Sequence, residues 1–443
     1  MDDGVNASAG CALPKPLVAS DPLHRRWARQ AAMGSLVLMY LGFPMSLAVA
    51  NVTMALTVLF WLLSMKKAAW VPFLADAWRN PVVKPAVLLA ILVVLATAWS
   101  PATGHEIVGY FKKYSKFLLL PVFISLLGDP GVRRRCWQGF GLAMLITLAS
   151  TWANVWFVVP WSQTNNQGFG VDHTVFKDHI AQGIMMSLFV CLSAMWAIKA
   201  PGRWRAAGWW AVCLLSAVSI LVLSQGRTGY IGVFFATTLF ALSALGGRVK
   251  AVLGTVTAMA MLVIVVYAVS PQFQERTDLA FKETHNSSVS VVTSIGARIE
   301  TWRFMTSGSS KMTVFGAGTG AYPVFARQYF KDPAFCATVC PHPHNQFLLF
   351  YFELGLLGLA LFFWYIAAIV RRAFEVHAVH RGLLLGFTAV LVVSNMTHSS
   401  MWLSTESHYF IMMTALLMAS AGRPKLGQGR PEATAAVGAE PLK

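Results

Sequence analysis

Long apolar stretches, broken by short polar or Gly/Pro segments, run through nearly the whole chain. The breaks fall near residues 42–44, 66–84, 100–106, 128–135, 160–178, 199–205, 224–228, 246–250, 271–343, 371–381 and 397–407. Crossing ~30 Å of hydrocarbon takes about 20 mainly apolar residues at about 1.5 Å of rise each. The pattern therefore predicts an all-α polytopic membrane protein with about twelve transmembrane helices and one large loop containing short helices. The expected layout is a tail over 1–29, nine helices over 30–270, the loop over 271–344, three helices over 345–421 and a tail over 422–443. Gly42-Phe43-Pro44 predicts a tight turn that divides residues 31–65 into two helices rather than one long tilted one.

Composition narrows the class. The 443 residues are 56% hydrophobic and only 12% charged, and the mean hydropathy is +0.58. A soluble chain carries roughly twice that charged fraction. A soluble enzyme on one anchor, a disordered chain, a disulfide scaffold and a nucleic-acid-binding domain are all excluded as the main reading. Sixteen Trp and 29 Phe suit bilayer interfaces and lipid-facing surfaces. The net charge of +17 would suggest a polyanion partner for a soluble protein, but its distribution between the membrane faces matters more here. Basic clusters within 66–84, 133–135, 199–205, 248–250 and 371–381 join both tails on one side, which predicts cytoplasmic termini. The first thirty residues carry Arg25, Arg26 and Arg29 with no early apolar stretch before a cleavage site, so no secretory signal peptide is expected.

The basic residues on the other side stand against that charge rule. Lys112, Lys113 and Lys116 cluster where the fourth span should begin, Arg227 sits in a short turn, and the long loop carries seven more. Snorkelling to headgroups explains the Lys trio as well as an anion site does. Five acids in the loop make part of its charge an ordinary solvated surface. A helix is expected over 289–304, carrying Arg298, Trp302 and Arg303. Residues 314–322 read VFGAGTGAY, an alternating-glycine stretch resembling a phosphate-cradling loop. It lacks a following Lys-Ser/Thr and a βαβ unit, so a nucleotide site is rejected. A tight backbone turn, with N–H groups available to a lipid phosphate, is the better use of Gly316, Gly318 and Gly320.

The loop ends in CATVCPHPHNQF, residues 336–347. For Cys336 and Cys340, in an oxidising compartment, a disulfide leads, with free thiols and a zinc site shared with His342 and His344 as alternatives. Asn345 is placed as the N-cap of the tenth span, whose unsatisfied N–H groups favour an anion. Glu353 falls about two and a half turns into that span, where an ionisable side chain is functional or tightly paired. His398, Glu406 and His408 flank the last turn on that side and read as interface polarity.

These residues resemble a known family, the bacterial O-antigen ligases of lipopolysaccharide assembly within the O-antigen ligase/polymerase superfamily. The resemblance covers most of the chain. Its most specific motif is His-Asn followed after nine residues by Gly-x-x-Gly, here His344-Asn345 and Gly355 to Gly358. Ser-x-x-Arg-x-Gly stands at Ser224 to Gly229, Arg-x-x-x-Trp at Arg298 to Trp302, and the glycine stretch ends at Tyr322. The cysteine pair adds nothing to the match.

The resemblance implies transfer of O-antigen polysaccharide from undecaprenyl pyrophosphate to lipid A–core, at the periplasmic face of a Gram-negative inner membrane. No cofactor, metal or nucleic acid is implied; the partners are the lipid-linked donor, the lipid A–core acceptor and membrane lipids. Arg227 and Arg298 suit bidentate pyrophosphate recognition, with Lys112 and Lys113 as weaker donor-binding candidates. His344 suits a general base, giving inverting displacement. Gln225, Gly226, Trp302, Tyr322, His342, Asn345 and Glu353 are supporting candidates, and His342 is expected to be the more dispensable histidine. An O-antigen polymerase, a protein O-oligosaccharyltransferase and a lipid-linked glycan flippase are the alternatives. The flippase is disfavoured because the polar residues crowd one face and no internal repeat is visible.

Overall fold

In the computed structural model, the residues described are 22–246, 249–269, 273–275, 277–278, 294–307 and 314–421; the two expected tails lie largely outside them. Among these residues the chain is helical, with no strand. The helices are α1 (Leu23–Gly42), α2 (Leu47–Ser64), α3 (Trp70–Arg79), α4 (Val83–Leu95), α5 (Gly104–Tyr114), α6 (Leu120–Leu126) and α7 (Pro130–Trp156). There follow α8 (His179–Lys199), α9 (Arg203–Val222), α10 (Arg227–Ala244) and α11 (Val249–Val269). The remainder are α12 (Ser294–Ser307), α13 (Ala321–Tyr329), α14 (Pro333–Val339), α15 (Gln346–Ala373), α16 (Ala378–Thr397) and α17 (Ser404–Ser420).

Among the described residues, six helices are long and apolar enough to cross a membrane, namely α2, α7, α8, α9, α15 and α16, or up to seven if the bent pair at α3–α4 counts as one span. This is fewer than the twelve expected. Several expected spans are instead short or interrupted. The fourth is split into α5, a 3-10 turn over Ser115–Leu119 and α6, and α17 has 17 residues. The segment 66–84, expected as a plain connection, contains α3, bent by 102° against the α4 segment. Trp70, Val71, Leu74 and Trp78 of α3 are exposed, the apolar side of a helix suited to lying in an interface. The turn expected at residues 42–44 is present between α1 and α2, with Ser46 capping α2 through a bond from the Val49 N–H.

Close helix contact at the centre depends on small residues. Of the apolar window in α8, 89% is buried, against 22% in α2 and α9, so α8 is central and the other two are left to lipid. Gly183 of α8 faces Gly229 of α10, and a Cβ on either would lie 3.1–3.2 Å from the other's Cα. A Cβ on Gly382 of α16 would meet the Phe240 carbonyl oxygen of α10 at 2.8 Å. Small residues let these backbones approach closely enough for dispersion to hold them together, the usual source of helix association in lipid.

One helix is broken by design of its sequence. Within α15, Gly355 has φ 69° and ψ −164°, and the helix kinks there. A kink frees backbone groups that lipid cannot satisfy. The glycine stretch supplies the partners: Ala317 N–H donates to Phe352 O (2.8 Å) and Gly318 N–H to Glu353 O (2.9 Å), while Leu357 N–H donates to Val314 O (3.2 Å). The backbones are so close that a Cβ on Gly355 would lie 2.2 Å from Val314 O, and one on Gly316 would lie 2.5 Å from Gly355 N. On its other side the stretch is pinned to the end of α4. Thr319 Oγ1 donates to Val93 O (2.7 Å), Thr319 N–H to Ala96 O (3.2 Å), and Ser100 Oγ to Thr319 O (2.6 Å).

Candidate active site

The polar residues singled out in the sequence converge at the end of the bundle where α10 and α15 begin and α16 ends. Asn345 caps α15 as expected, its side-chain oxygen accepting from Leu348 N–H at 3.0 Å. Just before it, His344 has φ 52°, the single non-glycine residue with positive φ in the described backbone. Such a conformation costs on the order of 1–3 kcal/mol and persists only where its surroundings impose it. Here Pro343 precedes it, and Thr301 of α12 donates to the Pro343 carbonyl at 3.2 Å. The same helix α12 carries Arg298, whose Nε donates to Thr397 O at 3.0 Å. Thr397 Oγ1 in turn shares a 3.0 Å hydrogen bond with Thr228 Oγ1, one residue after Arg227. Thr397, which precedes His398, therefore joins the turn bearing Arg227 to the helix bearing Arg298.

The Arg227 turn has its own reason for glycine. A Cβ on Gly226 would lie 2.8 Å from the His179 carbonyl oxygen at the start of α8. Tyr230 Oη donates to Ser224 O at 2.6 Å and folds the turn back on α10.

Three histidines meet at this end. The ring of His342 lies 4.4 Å from that of His344 and 5.1 Å from that of His398, and His344 lies 5.2 Å from His398. His342 is buried; its Nδ1 accepts the His344 N–H at 3.3 Å and its ring packs 4.8 Å from Trp402. Lys113 Nζ sits 2.7 Å from the centre of the Trp402 ring. Gln346 fixes that tryptophan's backbone, accepting Trp402 N–H at 2.9 Å while donating to Tyr114 Oη at 3.1 Å. Burial, reinforced by the other histidines, Lys113 and Arg298, pushes His342 down to about 2. Burial and then Arg298 push His344 down to about 4, against a bond to the Thr338 carbonyl. Burial, then His344, Arg298 and His179, push His398 down to about 3. All three rings are held neutral at ordinary pH.

Among the described residues, the buried donors or acceptors at this end without a hydrogen-bond partner include His398 Nδ1, Ser399 Oγ and the indole N–H of Trp302. Buried polar groups are seldom left unpaired, and those that are mark sites for a ligand's polar atoms. The histidine ring nitrogens lie within 4.8 Å of one another, close enough to share a metal ion, but Arg298 and Lys113 present positive charge to the same cluster. The zinc alternative with Cys336 and Cys340 does not hold, because these two cysteines are bonded to each other.

Glu353 is buried and caps the start of α13, its Oε1 accepting Tyr322 N–H at 3.3 Å. Tyr322 Oη then donates to Val339 O at 2.9 Å, bracing α14 and the disulfide. An Arg327–Glu106 ion pair ties α13 to α5.

Several expectations change. The glycine stretch does not offer its N–H groups to a phosphate, because those of Ala317, Gly318 and Thr319 are already bonded to α15 and the end of α4. The Lys trio separates: Lys112 is exposed, Lys113 joins the histidine cluster, and Lys116 is buried with Nζ donating to Ser407 Oγ at 2.6 Å. One turn of helix cannot aim all three at one ligand. His342 is an enclosed neighbour of His344, and His398 is a cluster member rather than interface polarity. Trp402 and Thr397 were not singled out, since no local pattern links them to His344. Gln225 stands in the Arg227 turn, and Trp302 beside Arg298 on α12, as their motifs placed them.

Residues 211–363 match a family model described as O-Antigen ligase. That segment holds Arg227, Arg298, His344, Glu353 and Gly355, and omits Lys113, His398 and Trp402. No curated protein matches the chain. The several long apolar helices are those of a multi-pass membrane protein. The match, with the motifs that lie inside it, makes residues 211–363 of this chain similar to the O-antigen ligase family.

Proposed function

We propose that this protein ligates O-antigen polysaccharide from undecaprenyl pyrophosphate onto lipid A–core, at the periplasmic face of a Gram-negative inner membrane. The observation that carries the reading is the neutral, strained His344 held beside Arg298 within the segment shared with the ligase family. A glycosyl pyrophosphate is already activated, so the protein has two tasks: to hold a polyanion and to deprotonate an incoming hydroxyl.

His344 Nε2–H donates to Thr338 O (3.3 Å), which leaves Nδ1 with the lone pair. This nitrogen takes the proton of the acceptor hydroxyl as its oxygen bonds to the anomeric carbon. The carbon–oxygen bond to the pyrophosphate breaks, and the bonding pair leaves on the carrier lipid with inversion. Arg298 and Arg227 stabilise the charge that develops on the leaving pyrophosphate. The bound polyanion also opposes the effect of Arg298 on His344 and raises its basicity once substrate is in place. Lys113 on the Trp402 face places an amino group near the histidines.

Reconstitution of the purified protein with lipid-linked glycan and lipid A–core tests this reading. Ligation should proceed without ATP and persist after EDTA treatment. Joining of two lipid-linked glycans in place of ligation would instead identify a polymerase, and transfer to Ser or Thr of a protein would identify an O-oligosaccharyltransferase.

A further inference from the structure

A cavity of about 960 Å3 opens among α7, α8, α9, α16 and α17. It lies at the end of the bundle away from His344. His380, which lines it, is in the first turn of α16, whereas His398 follows the last; α16 alone separates them by ~27 Å.

The cavity is graded in chemistry. Its rim carries Arg133 and Arg134 near the start of α7, Lys199 at the end of α8, Arg205 at the start of α9, and His380; none of its lining residues is acidic. Lys199 Nζ lies 2.9 Å from His380 Nε2. Lysine has donors only, so His380 accepts there and the remaining Lys199 protons stay available to an anion. Behind the rim stand Trp137, Trp196 and Trp209, with the last two rings 4.6 Å apart. Gly141 admits the Trp196 ring, since a Cβ there would lie 2.4 Å from its Cη2 atom. Leu142 and Leu145, about three to four turns into α7, line the deeper part.

A charge rule for membrane faces accounts for basic residues at helix ends. It does not account for four of them, with His380, converging on one cavity with an aromatic tier and an apolar depth beneath. We infer that this cavity binds an anionic glycerophospholipid of the leaflet opposite the His344 site. The phosphate lies on the arginines and Lys199, the glycerol backbone at the tryptophans, and an acyl chain along Leu142 and Leu145. Basic pockets between helices recognise anionic headgroups in this way. A zwitterionic headgroup would bring its ammonium into a rim with no carboxylate to receive it.

The test uses the full-length protein, delipidated and titrated with phosphatidylglycerol or phosphatidylcholine, with binding read by native mass spectrometry. The expected result is a preference of at least ~10-fold for phosphatidylglycerol, given three or more basic contacts. Combining Arg133→Gln, Arg134→Gln and Arg205→Gln should reduce that preference to less than about twofold. Leu145→Trp, which leaves the charge alone, should weaken both lipids by filling the acyl part. None of these residues belongs to the His344 site, so ligation should remain as in the parent protein. Equal binding of the two lipids, or a preference kept by the triple variant, would overturn the inference. Displacement of phosphatidylglycerol by millimolar inorganic phosphate would also overturn it, since the site would then be one for a small anion.

Discussion

The two ends of the bundle are both rich in basic residues, yet they are built differently. At the Arg134 end, the cations stand at the ends of continuous helices around the rim of one cavity. At the His344 end, they are held by irregular backbone: a positive-φ histidine, a broken helix and a glycine stretch seated in the break. The first arrangement attracts an anion without aligning it. The second fixes individual donors and lone pairs relative to one another, as chemistry requires. Charge counts therefore do not distinguish a binding face from a reactive one; backbone irregularity with satisfied hydrogen bonds does.

The largest expected difference between the ends is in rate. His344→Ala should lower ligation by about 10²–10⁴-fold, as loss of a general base does. Arg298→Lys should remain badly impaired because an ammonium cannot reproduce a planar fork. Arg134→Gln, at the other end, should change ligation by less than about twofold. A comparable loss from both ends, measured in the reconstituted assay, would erase the distinction.

Next comes stability. Gly355→Ala should destabilise by about 3 kcal/mol or more, since the added Cβ meets Val314 O at a positive-φ position. Gly208→Ala in α9 has open space around it and should be neutral or stabilising by up to about 1 kcal/mol. Thermal melting in detergent measures both, and equal melting temperatures would mean that the kink is not imposed by the glycine stretch.

The last contrast between the ends concerns pH. His342, His344 and His398 are held at about 2, 4 and 3, below their ordinary value near ~6.5. Above about pH 6.5 the folded and unfolded chains both leave them neutral. As pH falls from there towards 4, the unfolded chain takes up protons that the folded one refuses, so stability declines. The limit is about 1.4 kcal/mol per pH unit for each histidine. Melting curves should show this acid slope, and His398→Ala should flatten it, whereas Arg205→Gln should not. An unchanged slope in His398→Ala would remove that histidine from the buried cluster.

Much of this molecule follows from local sequence. Apolar runs with Gly/Pro punctuation determine helices, because a backbone in lipid must bond to itself. Asn345 as a cap, the turn after Gly42, and the positions of Arg227, Arg298 and His344 in their motifs are local as well. Span number is less so: α5 and α6 are separated by a 3-10 turn although their apolar content reads as one helix. What only the tertiary structure decided is who meets whom. The glycines of residues 314–320 and Gly355 look like two separate motifs, but each is required by the other's backbone passing within contact distance. His398 and Trp402 reach His342 from the far end of α16 and the turn beyond it, and no periodicity in a single segment encodes that meeting. Local conformational preference acts over a few residues, whereas the proximity that lowers a histidine's basicity is set by burial between segments distant in the chain.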